Sequence, residues 1–446
     1  MITLNGTDNV VIDNFNLTAV CKYGTGIRLM NGTNNVTISN NDIDVRVPGS
    51  NSTSVVNKGI YATDPGLLTI VGNTILGGRR GVQVEGATGV VTIGAPNTTG
   101  SGASNLMGNV IAGAYEYGIS LVDADGAMVG HNTIDMRGDY VSSVAINGNL
   151  LNGFTFDSNL LIDAGRAGIQ LNNSNNGVGA SQSAIVNNRI GLFQASSKAY
   201  GVYAYSVSDV NVYHNSVKID QATANTGMVL KGSGYDVRNN ILVAAGVPLS
   251  SAKASLDELR NNAYYNSNGG SIASINGAVA DVAGLAAKGF VALGSFDDEN
   301  PNFTTGTTFS TSLRTQNIDL ANVSSADLLV GVDFESQARA AQSVDLGADE
   351  FSGITRLMAS TATLDADVYP NPFSSALTVK LNSAEASEVQ VTLTDLMGRV
   401  ITTQHQGVEA GASSLKVNVE QSLPQGVYLL QVTQGDATST FRVVKQ

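Results

Sequence analysis

The chain has one cysteine, three histidines, few charges and no long apolar run, and each scarcity excludes something. A lone Cys21 allows no intramolecular disulfide and no cysteine metal cage, and its expected place is a buried, small apolar position. His131 and His214 each precede a recurring asparagine, three repeats apart, and His405 lies far downstream. At about 4.8 Å per repeat the first two are roughly 14 Å apart, too far to share a metal. No metal and no cofactor is therefore expected. Lysine and arginine number 24 against 37 acidic residues, a formal net charge of -13, so a nucleic-acid backbone is a poor partner. No stretch is apolar for long enough to span a bilayer, and the first residues lack the basic start and apolar core of an export signal. With only 14% charged residues, the polar surface falls to Asn, Ser, Thr and Gly, which suits stacked strands and tight turns rather than helix bundles.

What the chain has in plenty is a repeat. Asn35-Val-Thr-Ile-Ser-Asn-Asn-Asp-Ile43 returns, reworded, around Asn41, Asn73, Asn109, Asn132, Asn159, Asn188, Asn215, Asn240 and Asn262, with an apolar residue three places before each centre and another two places after. An earlier copy at Val10, Ile12 and Leu17 carries Phe15 at the asparagine position. The spacing runs from 22 residues (Asn240 to Asn262) to 36 (Asn73 to Asn109), with two-residue alternation inside each copy. That is the pattern of a solenoid whose turns are short strands, each coil burying its apolar face on the next. The asparagine falls at a bend, turns inward, and is expected to satisfy its amide by stacking as a ladder.

A second row, Gly26, Gly59, Gly81, Gly118, Gly168, Gly201 and Gly227, opens another strand of the coil, and glycine there is expected to supply a turn conformation other residues resist. Flanking its inward residues, one outward row reads Arg28, Tyr61, Gln83, Ser120, Ala145, Gln170, Tyr203 and Val229, and the next reads Met30, Thr63, Glu85, Val122, Asn147, Asn172, Tyr205 and Lys231. With these rows the chain resembles the right-handed parallel β-helix proteins over residues 1–262. The resemblance implies an all-β fold common among bacterial polysaccharide-binding and polysaccharide-cleaving proteins. Ile2–Val10 parallels Ile27–Val36, so the chain opens in mid-coil, and further coils, a cap and an export signal are expected upstream.

Residues 263–351 read as a last coil, a short helix and a C-terminal cap. Asp333, Arg339 and Val344-Asp-Leu-Gly-Ala-Asp-Glu-Phe351 are similar to the closing segment of secreted β-helix proteins, with Ser336 where Gly is usual and Leu346 where Ile is usual. The resemblance implies a structural role for Asp345, Asp349 and Glu350. Residues 352–366 read as a linker. From 367 to 446 short alternating strands at Leu377–Leu381, Val389–Leu393, Leu415–Val419, Val427–Val432 and Thr440–Val444 predict a small antiparallel β-sandwich. Its motifs are Tyr369-Pro370-Asn371-Pro372-Phe373, the turn Leu396–Val400, Leu423–Tyr428 with Gly426, and the ending Val443–Gln446 with Lys445. Together they resemble the C-terminal sorting domain of type IX secretion cargo of Gram-negative bacteria. That implies the type IX machinery as partner and an extracellular or outer-membrane surface location.

For the solenoid two readings stay open. Tyr61, Gln83, Glu85, Gln170, Asn172, Tyr203, Tyr205 and Lys231 form either a glycan-binding face, amides meeting hydroxyls and tyrosines stacking on sugar rings, or an ordinary solvated sheet face. The alternative function is a polysaccharide lyase or glycoside hydrolase using Asp123, Asp125, Asp135 and Arg137. The turn-like contexts of these residues, and of Asp139, favour turn-forming roles. Asp44 and Asp135 share an outward row but lie three coils apart.

Overall fold

The computed structural model describes residues 1–19, 21–47, 56–95, 108–136, 140–175, 183–192, 198–219, 225–290, 295–297, 300–301, 303, 320, 324–325, 330–339, 343–349, 366–383, 387–395, 400–419, 423–434 and 437–446. They belong to two compact units, Met1–Phe351 and Ser352–Gln446.

In the first unit each coil supplies three strands; around Asn73 these are Lys58–Thr63, Leu68–Val71 and Thr74–Leu76. Each pairs in parallel with its counterparts in the neighbouring coils. Ile60 opposes Ile27 and Val82, Ile70 opposes Ile38 and Ile93, and Ile75 opposes Ile43 and Ile111. The third strands form a ten-stranded sheet; first and second strands become continuous in Tyr200–Tyr213 and Thr226–Arg238 and so join one twenty-stranded sheet. Alternation sends these Ile and Val side chains into one core at no more than 1% exposure. Each contributes about 1.5–3 kcal/mol on burial. Parallel pairing runs past Asn262 to Ala273–Ile275, which lies beside Val247–Ser251 and then folds back on Ala278–Val279. A short helix, Val282–Ala287, follows, with the Asp281 carboxylate accepting from Gly284 N at 2.7 Å.

The repeated asparagines are fully buried and hydrogen-bonded coil to coil. Asn188 Oδ1 accepts from both the backbone N and Nδ2 of Asn159 at 3.0 Å, while Asn188 Nδ2 donates to Asn215 Oδ1 at 3.0 Å and to Phe156 O at 2.9 Å. The same pattern runs from Asn41 to Asn262. At its ends, Asn41 Oδ1 accepts from Phe15 N, and Asn262 N donates to Ser295 Oγ. The residue before every ladder asparagine but Asn109, which follows Gly108, has left-handed backbone, with φ of +53° at Asn40, +54° at His131, Ser158, Asn187 and His214, and +58° at Asn239. That bend aims the next side chain inward, and Asn, among non-glycine residues, reaches this conformation most readily.

The glycine row has a different cause from the one expected: Gly26, Gly59, Gly81, Gly118, Gly168 and Gly201 do not have positive φ. A Cβ at Gly81 would lie 2.5 Å from Ile111 Cγ2, and one at Gly118 would lie 2.7 Å from Ala145 O besides overlapping Ile134 Cγ2. Glycine is there because the branch of a third-strand Ile or Val fills the space. In the coil where Ala145 takes the glycine position, the third-strand residue is Leu161, which has no branch at Cβ. The outward rows therefore shift by two in that coil: Asn147, not Ala145, stands between Ser120 and Gln170, and Asn149, not Asn147, between Val122 and Asn172. Cys21, expected inside, is exposed in the turn after Asn16–Thr18.

The described part of 330–349 lies along the flank of several coils. Arg339 Nη2 donates to Asn187 Oδ1 at 2.8 Å, Asn187 Nδ2 donates to Val332 O, Ala348 N donates to Ser216 Oγ, and Gly347 N donates to Asn239 O. Ser336 has φ of +64°, the conformation that makes glycine usual there. Asp345 and Asp349 are buried, and Glu350 lies outside the described residues.

The second unit has two antiparallel sheets. One joins Ala366–Tyr369, Ala376–Ser383 and Gly411–Asn418; the other joins Val400–Val408, Ser387–Asp395, Gly426–Gln434 and Ala437–Lys445. Leu377, Val379, Val389, Leu393, Leu430 and Val443 close a separate core. Val400–Val408, unforeseen in the sequence, is a polar, largely exposed edge strand whose side chains carry no apolar alternation. Residues 352–365 and most of the turn at 396–400 lie outside the described residues.

Candidate functional site: the outer face of the first strands

On the outer face, register aligns Arg28, Tyr61, Gln83, Ser120, Asn147, Gln170, Tyr203 and Val229 in one row. The row beside it holds Thr63, Glu85, Val122, Asn149, Asn172, Tyr205 and Lys231. The centre is a polar floor: Gln83 and Ser120 are only 2% exposed and Asn147 7%, though all three face away from the core. A directed chain of hydrogen bonds runs along it. Arg166 Nε donates to Gln170 Oε1 at 3.0 Å, Gln170 Nε2 to Asn147 Oδ1 at 3.4 Å, and Asn147 Nδ2 to Ser120 Oγ at 3.5 Å. Tyr61 and Tyr203 stand at the two ends, five coil steps apart, about 24 Å at the usual strand spacing.

At the Tyr203 end, the Tyr200 and Tyr203 rings lie 4.8 Å apart, Arg166 covers Tyr203, and Tyr205, 51% exposed, has Lys231 Nζ 5.9 Å from its ring. At the Tyr61 end, the phenol donates to Glu85 Oε2 at 2.8 Å and Gln83 Nε2 also donates to Glu85. Burial, helped by that hydrogen bond, raises the Tyr61 hydroxyl pKa. Lys58 Nζ sits 4.0 Å from the Tyr61 ring centre. Burial, and then the charge of Arg80, pull Lys58 below the usual lysine range. Glu116, which burial alone would raise, is held below the carboxylate range by hydrogen bonds from Arg79 and Arg80.

Lys58, Arg80 and Tyr117, and after buried Val144 and Ala167 also Tyr200, occupy a third row for which no expectation came from the sequence. Its signal is plain once seen: Lys58, Arg80, Tyr117 and Tyr200 each immediately precede a glycine of the glycine row.

The acidic residues of the enzymatic alternative do not share a surface. Asp123 ends a first strand and is exposed with φ of +52°, and Asp125 accepts from Asn152 N and Nδ2 at 3.1 and 2.9 Å in the next turn. Asp135 is on a third strand, in the other sheet, where burial and then Asp163 raise its pKa. Arg137 and Asp139 lie outside the described residues. Among the described residues one acidic trio converges, Asp333, Glu335 and Asp349, with ligand atoms within 4.8 Å. Arg189, fully buried, pairs with Glu335 at 3.2 Å and with Asp349, so a guanidinium already engages two of the three.

In the second unit the two most recognisable motifs meet. Phe373 N donates to Val444 O at 2.8 Å, Gln446 N to Phe373 O at 2.9 Å, and Val444 N to Asn371 Oδ1 at 2.9 Å. Phe373 is buried, Tyr369 and its neighbours Pro370 and Pro372 flank an exposed bend, and Lys445 Nζ donates to Gln446 O. Tyr428, beyond Gly426, is buried with its hydroxyl donating to Pro424 O at 2.9 Å.

Residues 58–242 match the family of the right handed beta helix region, and residues 367–446 match the secretion system C-terminal sorting domain. No curated protein matches the chain. Among solved structures the chain is similar to the Dettilon tailspike protein, at 12% identity and a TM-score of 0.38 over 97% of this chain and 73% of that one. It is also similar to the enzymatically active domain of bacteriophage CBA120 tailspike protein 2, at 11% identity and a TM-score of 0.26 over 99% and 72%.

Proposed function

We propose, for a right-handed β-helix that ends in a secretion-system sorting domain, that the solenoid is an exported carbohydrate-binding or adhesive module. The sorting domain makes the chain a secreted or cell-surface protein and the secretion machinery its partner. No described helix is long and apolar enough to cross a membrane. On this reading the type IX machinery of a Gram-negative cell exports the chain through residues 367–446, and surface anchoring follows.

The observation that carries the glycan reading is the outer-face floor of Gln83, Ser120, Asn147 and Gln170 bracketed by Tyr61 and Tyr203. Amides oriented by one another present fixed donors and acceptors to hydroxyls, and tyrosines at either end offer ring faces. Tyr205, Asn172, Glu85 and Lys231 widen the same surface. A short oligosaccharide laid along the solenoid axis fits this layout. The test is a glycan array with the intact protein, followed by polysaccharides incubated for product release. Binding without new reducing ends or unsaturated products supports the module. Products would support the lyase or hydrolase, and neither result would leave the face an ordinary solvated surface. Deleting 367–446 in a host with the matching machinery is expected to strand the protein in the periplasm, and normal surface display after deletion would end the export reading.

A further inference from the structure

The chain as a whole is strongly acidic, yet one end of the floor is not. Arg28, Lys58, Arg79 and Arg80 occupy three successive coils, against Glu85 and Glu116 nearby. Glu116 is shared by Arg79 and Arg80, with contacts of 2.7–2.9 Å. Glu85 is already engaged by the Tyr61 hydroxyl and the Gln83 amide. Among the described residues neither Arg28 nor Lys58 forms an ion pair; both cations lie over the Tyr61 ring, at 5.9 and 4.0 Å. Burial, and then the charge of Arg80, depress the pKa of Lys58 and Glu85 offsets this only in part, so an arriving anion would relieve it.

A second observation is independent of charge. Gln83 is 2% exposed on the outer face and its Oε1 has no hydrogen-bond partner. The orientation of the amide is set by Glu85, a pure acceptor that must receive the Nε2 protons, so what Gln83 keeps unmatched is an acceptor. A buried acceptor without a donor is costly, and a hydroxyl is the complementary group.

We propose that Arg28, Lys58, Tyr61 and Gln83 form a subsite for an acidic sugar, its carboxylate or sulfate held by the two cations and a neighbouring hydroxyl donating to Gln83 Oε1. This rests on the glycan reading and adds the chemical class of the ligand. The Tyr203 end, where Arg166 is already engaged by Gln170 and Lys231 lies over the exposed Tyr205 ring, takes the neutral part of the same chain.

The experiment is calorimetric titration of the full chain with a galacturonate hexasaccharide, its carboxyl-reduced counterpart and a sulfated hexasaccharide. One of the two anionic probes is expected to bind at least about tenfold more tightly than the reduced one, the effect of a charge-assisted contact; which one does so separates carboxylate from sulfate. Lys58→Met is expected to erase that preference, and Lys58→Arg to keep it. Gln83→Leu is expected to weaken all three probes while leaving the melting temperature unchanged or higher, an outcome that a purely structural glutamine would reverse. Equal binding of anionic and reduced probes, or a preference that survives Lys58→Met in a folded protein, overturns the subsite while leaving glycan binding in place. Failure of every probe overturns both.

Discussion

Two polar rows run along the same solenoid, asparagines inside and the shorter run Gln83, Ser120, Asn147 and Gln170 outside. In the inner row Asn188 and its counterparts from Asn73 on have every polar atom matched, two donors arriving at each Oδ1 and backbone carbonyls receiving each Nδ2. In the outer row the hydrogen bonds are longer, up to 3.5 Å; the chain stops at Ser120, and Gln83 beyond it keeps an acceptor left over. The same chemical group thus serves the fold where its valence is filled and, on the proposed reading, recognition where it is not.

The sharpest way to break this contrast is Asn188→Leu. It orphans two buried donors of Asn159, at about 1–3 kcal/mol each, so a loss of about 4 kcal/mol is expected from denaturant unfolding. An unchanged midpoint would make the inner row no more structural than the outer one. Next comes Gly118→Ala, whose new methyl meets Ile134 Cγ2 and Ala145 O; overpacking of this kind costs about 1–3 kcal/mol. Adding Ile134→Leu, which copies the Ala145 and Leu161 combination, should return part of the loss, and a double variant no better than the single would refute the exchange. On the outer row, Tyr203→Ala with Tyr205→Ala should weaken glycan binding by about 1–3 kcal/mol without moving the melting temperature. A lowered melting temperature would place those rings with the inner row.

The smallest effect concerns pH. Burial, and then the charge of Arg339, hold His214 neutral, well below the usual imidazole range. Unfolded, it titrates near about 6.5. Below that pH the unfolded chain takes up a proton the folded one refuses, so stability falls toward acid by up to about 1.4 kcal/mol per pH unit. His131, also lowered by burial, acts in the same direction. His214→Gln should shrink the difference in unfolding free energy between pH 7 and pH 5, and an identical acid loss in the variant would point to other groups.

The rhythm of the solenoid was legible because register is a property of spacing: Asn41 through Asn262, and the apolar residue two places on, repeat with the period of the coils. Legibility failed where one residue stood in for another. Ala145 occupies a glycine position only because Leu161 leaves room for its Cβ, a compensation between residues that no single repeat displays. It also failed for 330–349, since Arg189 with Asp349 and Arg339 with Asn187 are contacts between a repeating and a non-repeating stretch. Cys21 misled because a small apolar side chain in a turn has no face pattern to follow. The site was half legible. The two rows could be written down, but the burial of Gln83 and the closing of Glu116 by two arginines needed three dimensions.

The segment 330–349 has one more consequence, a mechanical one. Tension on the polypeptide beyond Ser352 does not reach the solenoid first at its last coil; it enters through the bonds from Ala348, Gly347 and Arg339 to Ser216, Asn239 and Asn187. These anchors belong to three different coils, so each must part before the segment leaves the solenoid. A protein hauled or held by its tail would then resist being unwound strand by strand from that end.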